Sequence, residues 1–347
     1  DWKDAAAACA LALQEALDAK FTLTPAASYT TNFLSQRTTN ENIWVYALQT
    51  KDNHANLSSI MAYPQSAATT GSSGVCPTQN FVDRYETKYG EPLLTEADRA
   101  AAATAGHYSE QSPYKDRDPR LDLTIVHDGQ ANSNSEDKKI NIYYDPDSKS
   151  WPTTRLNGVN VSFGIDWGTR DNDTYAYSNT GYYCRKYWNG VIGLKQQSNH
   201  YHEDPIIRLA ELYLNYAEAV NEAYGPSGKA GTVGLTAIQA LNAVRERIGM
   251  PPVASKYTAD KESFRERIRN ERCVELAFEG HHYYHDIRRW KIAPQTMGTV
   301  LYGMHVEKTA KSEKYPDGKI YTRKPLPNNR QCVWKDYMYY IPFPDSE

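Results

Sequence analysis

No apolar run in this 347-residue chain approaches the roughly 18 residues that a membrane-spanning helix needs. Nor does the sequence show an N-terminal signal with a charged start and an apolar centre. A surplus of positive charge is missing too. The 39 basic residues are interspersed with 42 acidic ones for a net charge of -3, which excludes the basic stripe that nucleic-acid binding requires. Cysteine is sparse, and Cys9, Cys76, Cys184, Cys273 and Cys332 are scattered without CxxC or Cys/His spacing. Neither a zinc site nor a disulfide framework is indicated, and no cofactor. Three alanines precede Cys9 as in a lipid-attachment box, but eight residues leave no room for the apolar stretch such a signal needs. The glycine-containing segment from Thr70 to Gly74 lacks the lysine and helix of a phosphate loop. Phenylalanine is rare, at seven residues, and tyrosine replaces it, at 27. An apolar ring with a polar tip suits both wet binding faces and helix packing.

With 40% hydrophobic residues the chain can bury a real core in two lobes. Trp2, Ala6, Cys9, Leu13 and Leu17 step by three or four, which predicts an amphipathic helix of about 18 residues. A lone helix cannot bury its own face, so its mate is expected from the C-terminal half or from residues outside this sequence. Residues 25–203 change character, with loops rich in Asn, Ser, Thr, Gly and Tyr between short strand-like runs. Strands are expected at Ile43–Leu48, at Leu121–Ile125 after the turn Arg117-Asp118-Pro119-Arg120, and at Ile140–Tyr144. The polar loop DGQANSNSED between the last two lacks EF-hand spacing and reads as solvated. From Asp204, a cap with Pro205 behind it predicts a helix of about five turns, stopped at Gly225-Pro226 and buried on more than one side. A second helix turns Leu235, Ile238, Leu241, Val244 and Ile248 inward. The pair resembles one tetratricopeptide-type unit. The fold class is therefore mainly α: a scaffold helix over 1–24, an irregular ligand-binding lobe over 25–203 with a few short strands, a helical scaffold over 204–295, and a C-terminal loop and strand segment over 296–347 packing on the scaffold.

In FRERIRNERCVELAFEGHHYYHDIRRW, Phe264, Ile268, Glu271, Glu275 and Phe278 fall on one helical stripe. Two carboxylates thus share a face with three apolar side chains, and such acids must pair or neutralise when buried. Arg267, Arg269, Arg272, Arg288 and Arg289 are the nearby partners. The expected arrangement is a helix, a break at Gly280, and a short second helix folding its arginines back onto the acids.

His281 and His285 have the spacing of two metal ligands on a helix, but His282 stands where a zinc protease needs Glu, and no third ligand follows. Metal is not expected. Carboxylate pairs are too common among the acids to single out a glycoside hydrolase, and no catalytic residue emerges. Trp151, Trp167, Tyr175, Tyr177, Tyr182 and Tyr183 crowd together beside amide and charged side chains. Such rings stack on the C–H faces of sugars while neighbours bind the hydroxyls, and peptides use the same kind of surface.

Several motifs, in order, carry a resemblance over nearly the whole chain: WKDAAAACALAL, NFVDRYETKYGEPL, RDPRL, TGYYCRKY, PIIRLAELYLNYAEAVNEAYG, ALNAVRERIGMP, NERCVELAFEGHHYYHDIRRW and YYIPFPDSE. The chain resembles the SusD/RagB family of outer-membrane surface lipoproteins from Bacteroidetes. The resemblance implies a binding protein without chemistry of its own, a lid and capture subunit for a SusC-like TonB-dependent transporter barrel, exposed at the cell surface. It implies a glycan or oligosaccharide ligand, with an oligopeptide as the alternative and glycoside hydrolysis as a remote one. Tyr63, Trp151, Trp167, Tyr175 and Tyr177 are the candidate ligand-binding rings, on composition alone. Arg117, Asp118, Arg120, Arg208, Glu211, Glu218, Glu271, Arg272, Glu275, Glu279, Asp286, Arg289 and Trp290 are read as structural. Family members begin with a lipidated cysteine and further helices, so the chain looks like the C-terminal two-thirds of a member. Its membrane attachment would be a lipid anchor upstream of Asp1. Between Gly280 and Asp286 one residue more than the usual pattern appears, which passes an arginine role to Arg288 or Arg289.

Overall fold

The structure, a computed structural model, describes residues 1–34, 39–47, 75–132, 137–148, 153–156, 159–164, 166–167, 178–187, 203–280 and 282–340. From the N-terminus come α1 (Trp2–Asp18), β1 (Asn42–Ala47), and α2 (Arg120–Thr124) running into β2 (Ile125–Val126). Next are β3 (Tyr144–Asp145), β4 (Thr153–Leu156), β5 (Val159–Phe163), β6 (Tyr183–Cys184), and β7 (Glu203–Arg208), which leads straight into α3 (Leu209–Tyr224). The chain continues through α4 (Ala237–Arg247), α5 (Lys261–Glu275), α6 (His282–Arg289), β8 (Tyr302–Lys308) and β9 (Lys319–Pro325). The fold is mainly helical, as expected.

Capping residues start the scaffold helices. Asp1 accepts from Lys3 N, Thr236 and Gln239 form a reciprocal capping box for α4, and Asp260 accepts from Ser263 N to open α5. Gly225, at φ +82°, ends α3. The mate of α1 is α3. Ala6, Ala10, Leu13 and Ala16 of α1 share one apolar core with Leu209, Leu214, Ala217 and Val220 of α3, Leu241 and Val244 of α4, and Phe264 and Ile268 of α5. The buried stripe of α1 is turned slightly from the expected one, leaving Trp2 about half exposed. Small alanines at the contact let the two helix backbones approach closely. As expected, α3 is buried on more than one side, through Leu214, Tyr216, Ala219 and Val220.

Strands pair across long stretches of sequence. β1 runs antiparallel to β7, β2 to β6, and a five-stranded sheet has the order β4-β5-β3-β8-β9. Both boundaries drawn after residue 203 and before residue 296 are therefore bridged. β7 spans the first, and β8 and β9 extend the sheet of the middle region while Met304 and Val306 share a core with Val274 of α5.

Four local expectations give way to the structure. Asp204-Pro205 does not start a helix: Pro205 lies in β7 opposite Val45, where a two-stranded ribbon tolerates a residue without an N–H, and α3 begins at Leu209. Of the expected strand Leu121–Ile125, Leu121–Thr124 belong to α2 and only Ile125 is extended, in β2. Asp118 Oδ1 accepts from Arg120 N at 2.9 Å, and Thr124 Oγ1 bonds Arg120 O at 2.7 Å, which stabilises a helical turn in a segment short enough to fit either period. Of Ile140–Tyr144 only Tyr144 joins the ladder, although Ile140, Ile142 and Tyr144 alternate inward. The polar loop is not solvated at its start: Asp128, Gln130 and Asn132 are buried, and Asp128 Oδ2 binds Lys319 Nζ at 2.6 Å and Tyr321 Oη at 3.1 Å.

Candidate functional site

The carboxylates on the Phe264 stripe lie at the centre of a buried ionic lattice. Glu271 and Glu275 are buried as expected, with Phe264 and Ile268 beside them. Phe278, however, is off the stripe: α5 ends at Glu275, and Phe278 takes a left-handed backbone at φ +63°. The partners also differ from the nearby arginines expected. Arg120 Nη1 reaches Glu271 at 2.5 Å and Glu275 at 2.9 Å, while its other donors hold Asp118. Arg208 binds Glu41, Glu275 and Glu279, each at 2.7 Å. Arg247 adds bonds to Glu41 and Glu275, Lys186 to Glu279, and Arg245 joins Glu271 to Glu86, which Arg267 also holds. Helical spacing cannot reveal such partners, because they arrive from four distant segments.

Six carboxylates meet six cations, so the lattice neutralises itself. Burial alone would raise the Glu275 carboxyl, but Arg247, Arg208 and Arg120 outweigh it and hold the group well below the usual range. Glu279 is lowered in the same way, with Arg208 and Lys186 overcoming its burial. Glu86 goes the other direction, since its burial outweighs Arg245 and Arg267. A lattice of this kind sets one arrangement of segments rather than adding large net stability. Sequence reasoning missed Glu41, Glu86, Lys186, Arg245 and Arg247. The only trace of Arg245 and Arg247 was a pair of arginines in the last turn of a helix.

A second lock ties α6 back to α3. Arg289 grips Glu218 with both terminal nitrogens, at 2.5 and 2.7 Å, and Trp290 Nε1 donates to the same carboxylate at 2.7 Å. Asp286 accepts from Arg289 and from Arg272, which also donates to Asn215. The break at Gly280 and the fold-back of an arginine are thus present, directed at Glu218 instead of Glu271 and Glu275. Arg288 instead covers the Tyr284 ring at 3.4 Å. Glu211 lies 3.9 Å from His282. Arg117 spends its donors on the backbone carbonyls of Val82, Tyr85 and Pro113. Among the metal-spaced histidines, His281 lies outside the described residues and His285 is exposed at the edge of Tyr284.

Of the candidate rings, Tyr63, Trp151, Tyr175 and Tyr177 lie outside the described residues. Trp167 is 7% exposed and packs edge-on against Tyr144 and His305, at 5.6 and 5.3 Å between centroids. At that burial it offers no free ring face. Tyr182 and Tyr183 are fully buried.

A cleft of 1290 Å³ runs between α5, the segment after α6, and the segments around Phe81 and Leu94. Arg84, Arg99, Arg269 and Arg323 line it together with Asp83, Glu96 and Glu266. Asp83 is bound by Arg323 at 2.5 Å, and Arg99 by Glu110 at 2.9 Å. The Trp290 ring carries Arg269 at 5.2 Å and Arg289 at 4.8 Å over its face. Such a mixture of guanidinium, amide and apolar surface suits a polar ligand with apolar edges.

The sequence model of the SusD family matches residues 40–347. A SusD-like protein of Formosa agariphila is 37% identical over 111 residues, which are 32% of this chain and 19% of that protein. A SusD-like protein from Bacteroides fragilis superposes with a TM-score of 0.62 at 23% identity, covering 94% of this chain and 57% of its own. A SusD-like carbohydrate binding protein from the same organism gives a TM-score of 0.60 at 25% identity, covering 92% and 57%. The chain therefore spans little more than half the length of these solved structures and matches a fifth of the Formosa agariphila protein. With the family's model aligned from residue 40 to the C-terminal residue, and the motifs of its helices built into one ionic lattice, the chain belongs to the SusD family.

Proposed function

We propose that this protein captures glycans at the cell surface and passes them to a TonB-dependent outer-membrane transporter barrel, without cleaving them. Attachment to the outer membrane by a lipid anchor belongs to the same proposal. The observation that carries it is the match to the SusD family across residues 40–347. A structural relative described as carbohydrate binding supports the ligand class. The lattice of buried charges supplies a rigid frame, which a lid needs if its loops are to hold a ligand in one geometry. Tyr63, Trp151, Tyr175 and Tyr177 are the stacking rings of the proposal.

Affinity electrophoresis against a panel of polysaccharides tests this reading. The combined variant Tyr63→Ala, Trp151→Ala, Tyr175→Ala and Tyr177→Ala should weaken binding at least about tenfold, since each lost aromatic contact is worth about 0.5–1.5 kcal/mol. Unchanged retardation by that variant would move the site away from these rings. A complete lack of glycan binding beside capture of an oligopeptide would replace sugar with peptide.

A further inference from the structure

The cleft beside α5 contains a cation whose hydrogen bonds are not accounted for. Arg84 is half-buried in its wall, and its guanidinium makes one side-chain bond, to Tyr283 Oη at 3.3 Å. No carboxylate oxygen lies within 4.0 Å of it among the described residues. Glu266 is already engaged by Arg269 at 2.8 Å and is 61% exposed. Asp83 is occupied by Arg323, and Glu96 lies exposed on the rim. Two more polar groups in the same wall lack partners among the described residues, Arg269 Nε and Asn270 Oδ1.

A planar guanidinium presents five N–H donors in a fork that fits a carboxylate or a sulfate. Elsewhere in this molecule the buried arginines meet that demand with carboxylates or with backbone carbonyls. Arg84 and Arg269 are two guanidiniums on one wall, with terminal donors to spare beyond the single bonds to Tyr283 and Glu266. Leu94, Met297 and Val300 also line the cleft, apolar surface for the C–H edges of a ring. At 1290 Å³ the cleft has room for several sugar units.

We infer that this cleft binds an anionic saccharide, with Arg84 and Arg269 gripping a sugar-borne oxyanion, either a uronate carboxylate or a sulfate ester. The inference rests on the glycan-binding reading and narrows it to charged glycans. Trp167 is not among the residues that line this cleft.

Isothermal titration of the whole chain with an oligogalacturonate, a sulfated galactan oligosaccharide and a neutral galactan oligosaccharide of equal length separates the possibilities. The charged ligands should bind more tightly than the neutral one, and more weakly at high salt. Whether the uronate or the sulfated ligand binds better identifies the oxyanion. Arg84→Gln should weaken the charged ligands about tenfold or more and leave the neutral one unchanged. Arg84→Lys should fall between, because it keeps the charge and loses the fork. Arg269→Gln, at a side chain 18% exposed, carries the same test if Arg84→Gln does not fold. Equal affinity for neutral and charged ligands, or undiminished binding by both glutamine variants, overturns the inference while leaving glycan capture intact. Failure of every saccharide to bind overturns both.

Discussion

Glu275 receives Arg120, Arg208 and Arg247 on its two oxygens, at full burial. Removing its charge would leave three guanidiniums short of an acceptor inside the protein. Glu275→Gln should therefore cost about 3–5 kcal/mol in chemical denaturation. Glu266→Gln, at an exposed carboxylate on the same helix, should change stability by less than about 1 kcal/mol. Similar costs for the two would show that the lattice does not hold the segments. Because the Glu275 carboxyl is depressed, its contribution is complete above the ordinary value of about 4.3 and is lost only as pH falls through the lower folded value. His305 acts in a different window. Burial and then Lys324 lower its imidazole to about 4, against about 6.5 when unfolded. Between these values the unfolded chain binds more protons, so stability is intact above about pH 6.5 and declines as pH falls toward 4. His305→Phe keeps a ring against Tyr144 and should flatten the stability curve in that window, measured by thermal unfolding across pH. An unchanged slope would assign the decline to other groups.

At the scale of elements, the segment TGYY clips onto β8. Met304 N donates to Thr180 O at 2.8 Å, and Gly181 sits at φ +83° so close that an added Cβ would meet Met304 O at 2.3 Å. Gly249 has a similar φ of +85° with nothing within 4 Å of such a Cβ. Gly249→Ala should thus cost about 1–3 kcal/mol for the backbone alone. Gly181→Ala should cost more, because the clip must also open, and equal losses would show that the contact is slack. The contrast with what the sequence revealed is instructive at this scale. Helices α1, α4 and α5 were legible because their period and caps are local, and α3 through its period and its glycine stop, since its start at Leu209 has no side-chain cap. Asp204-Pro205 and Leu121–Ile125 misled because a cap followed by proline, or five alternating residues, fits two structures until a partner strand or a side-chain bond decides. The lattice around Glu275 was half legible: buried acids demanded cations, but Arg120, Arg208, Arg245 and Arg247 are brought there by tertiary folding alone. Nothing local marked Arg84 and Arg269 as neighbours in one cleft.

For the whole molecule, the lattice joins Glu41 near β1, the Asp118–Arg120 turn, Arg208 at the end of β7, and the scaffold helices α4 and α5 into one frame. The five-stranded sheet then carries the C-terminal segment across to the middle region. Loops mounted on such a frame can present rings and guanidiniums in fixed places, which is what capture without catalysis asks of a protein. The most direct measurement is affinity electrophoresis of the purified chain in gels containing polysaccharide, with the same polymer assayed for new reducing ends. Retarded migration with no new reducing ends is the predicted result. Release of reducing ends, or unretarded migration through every polymer, would contradict it.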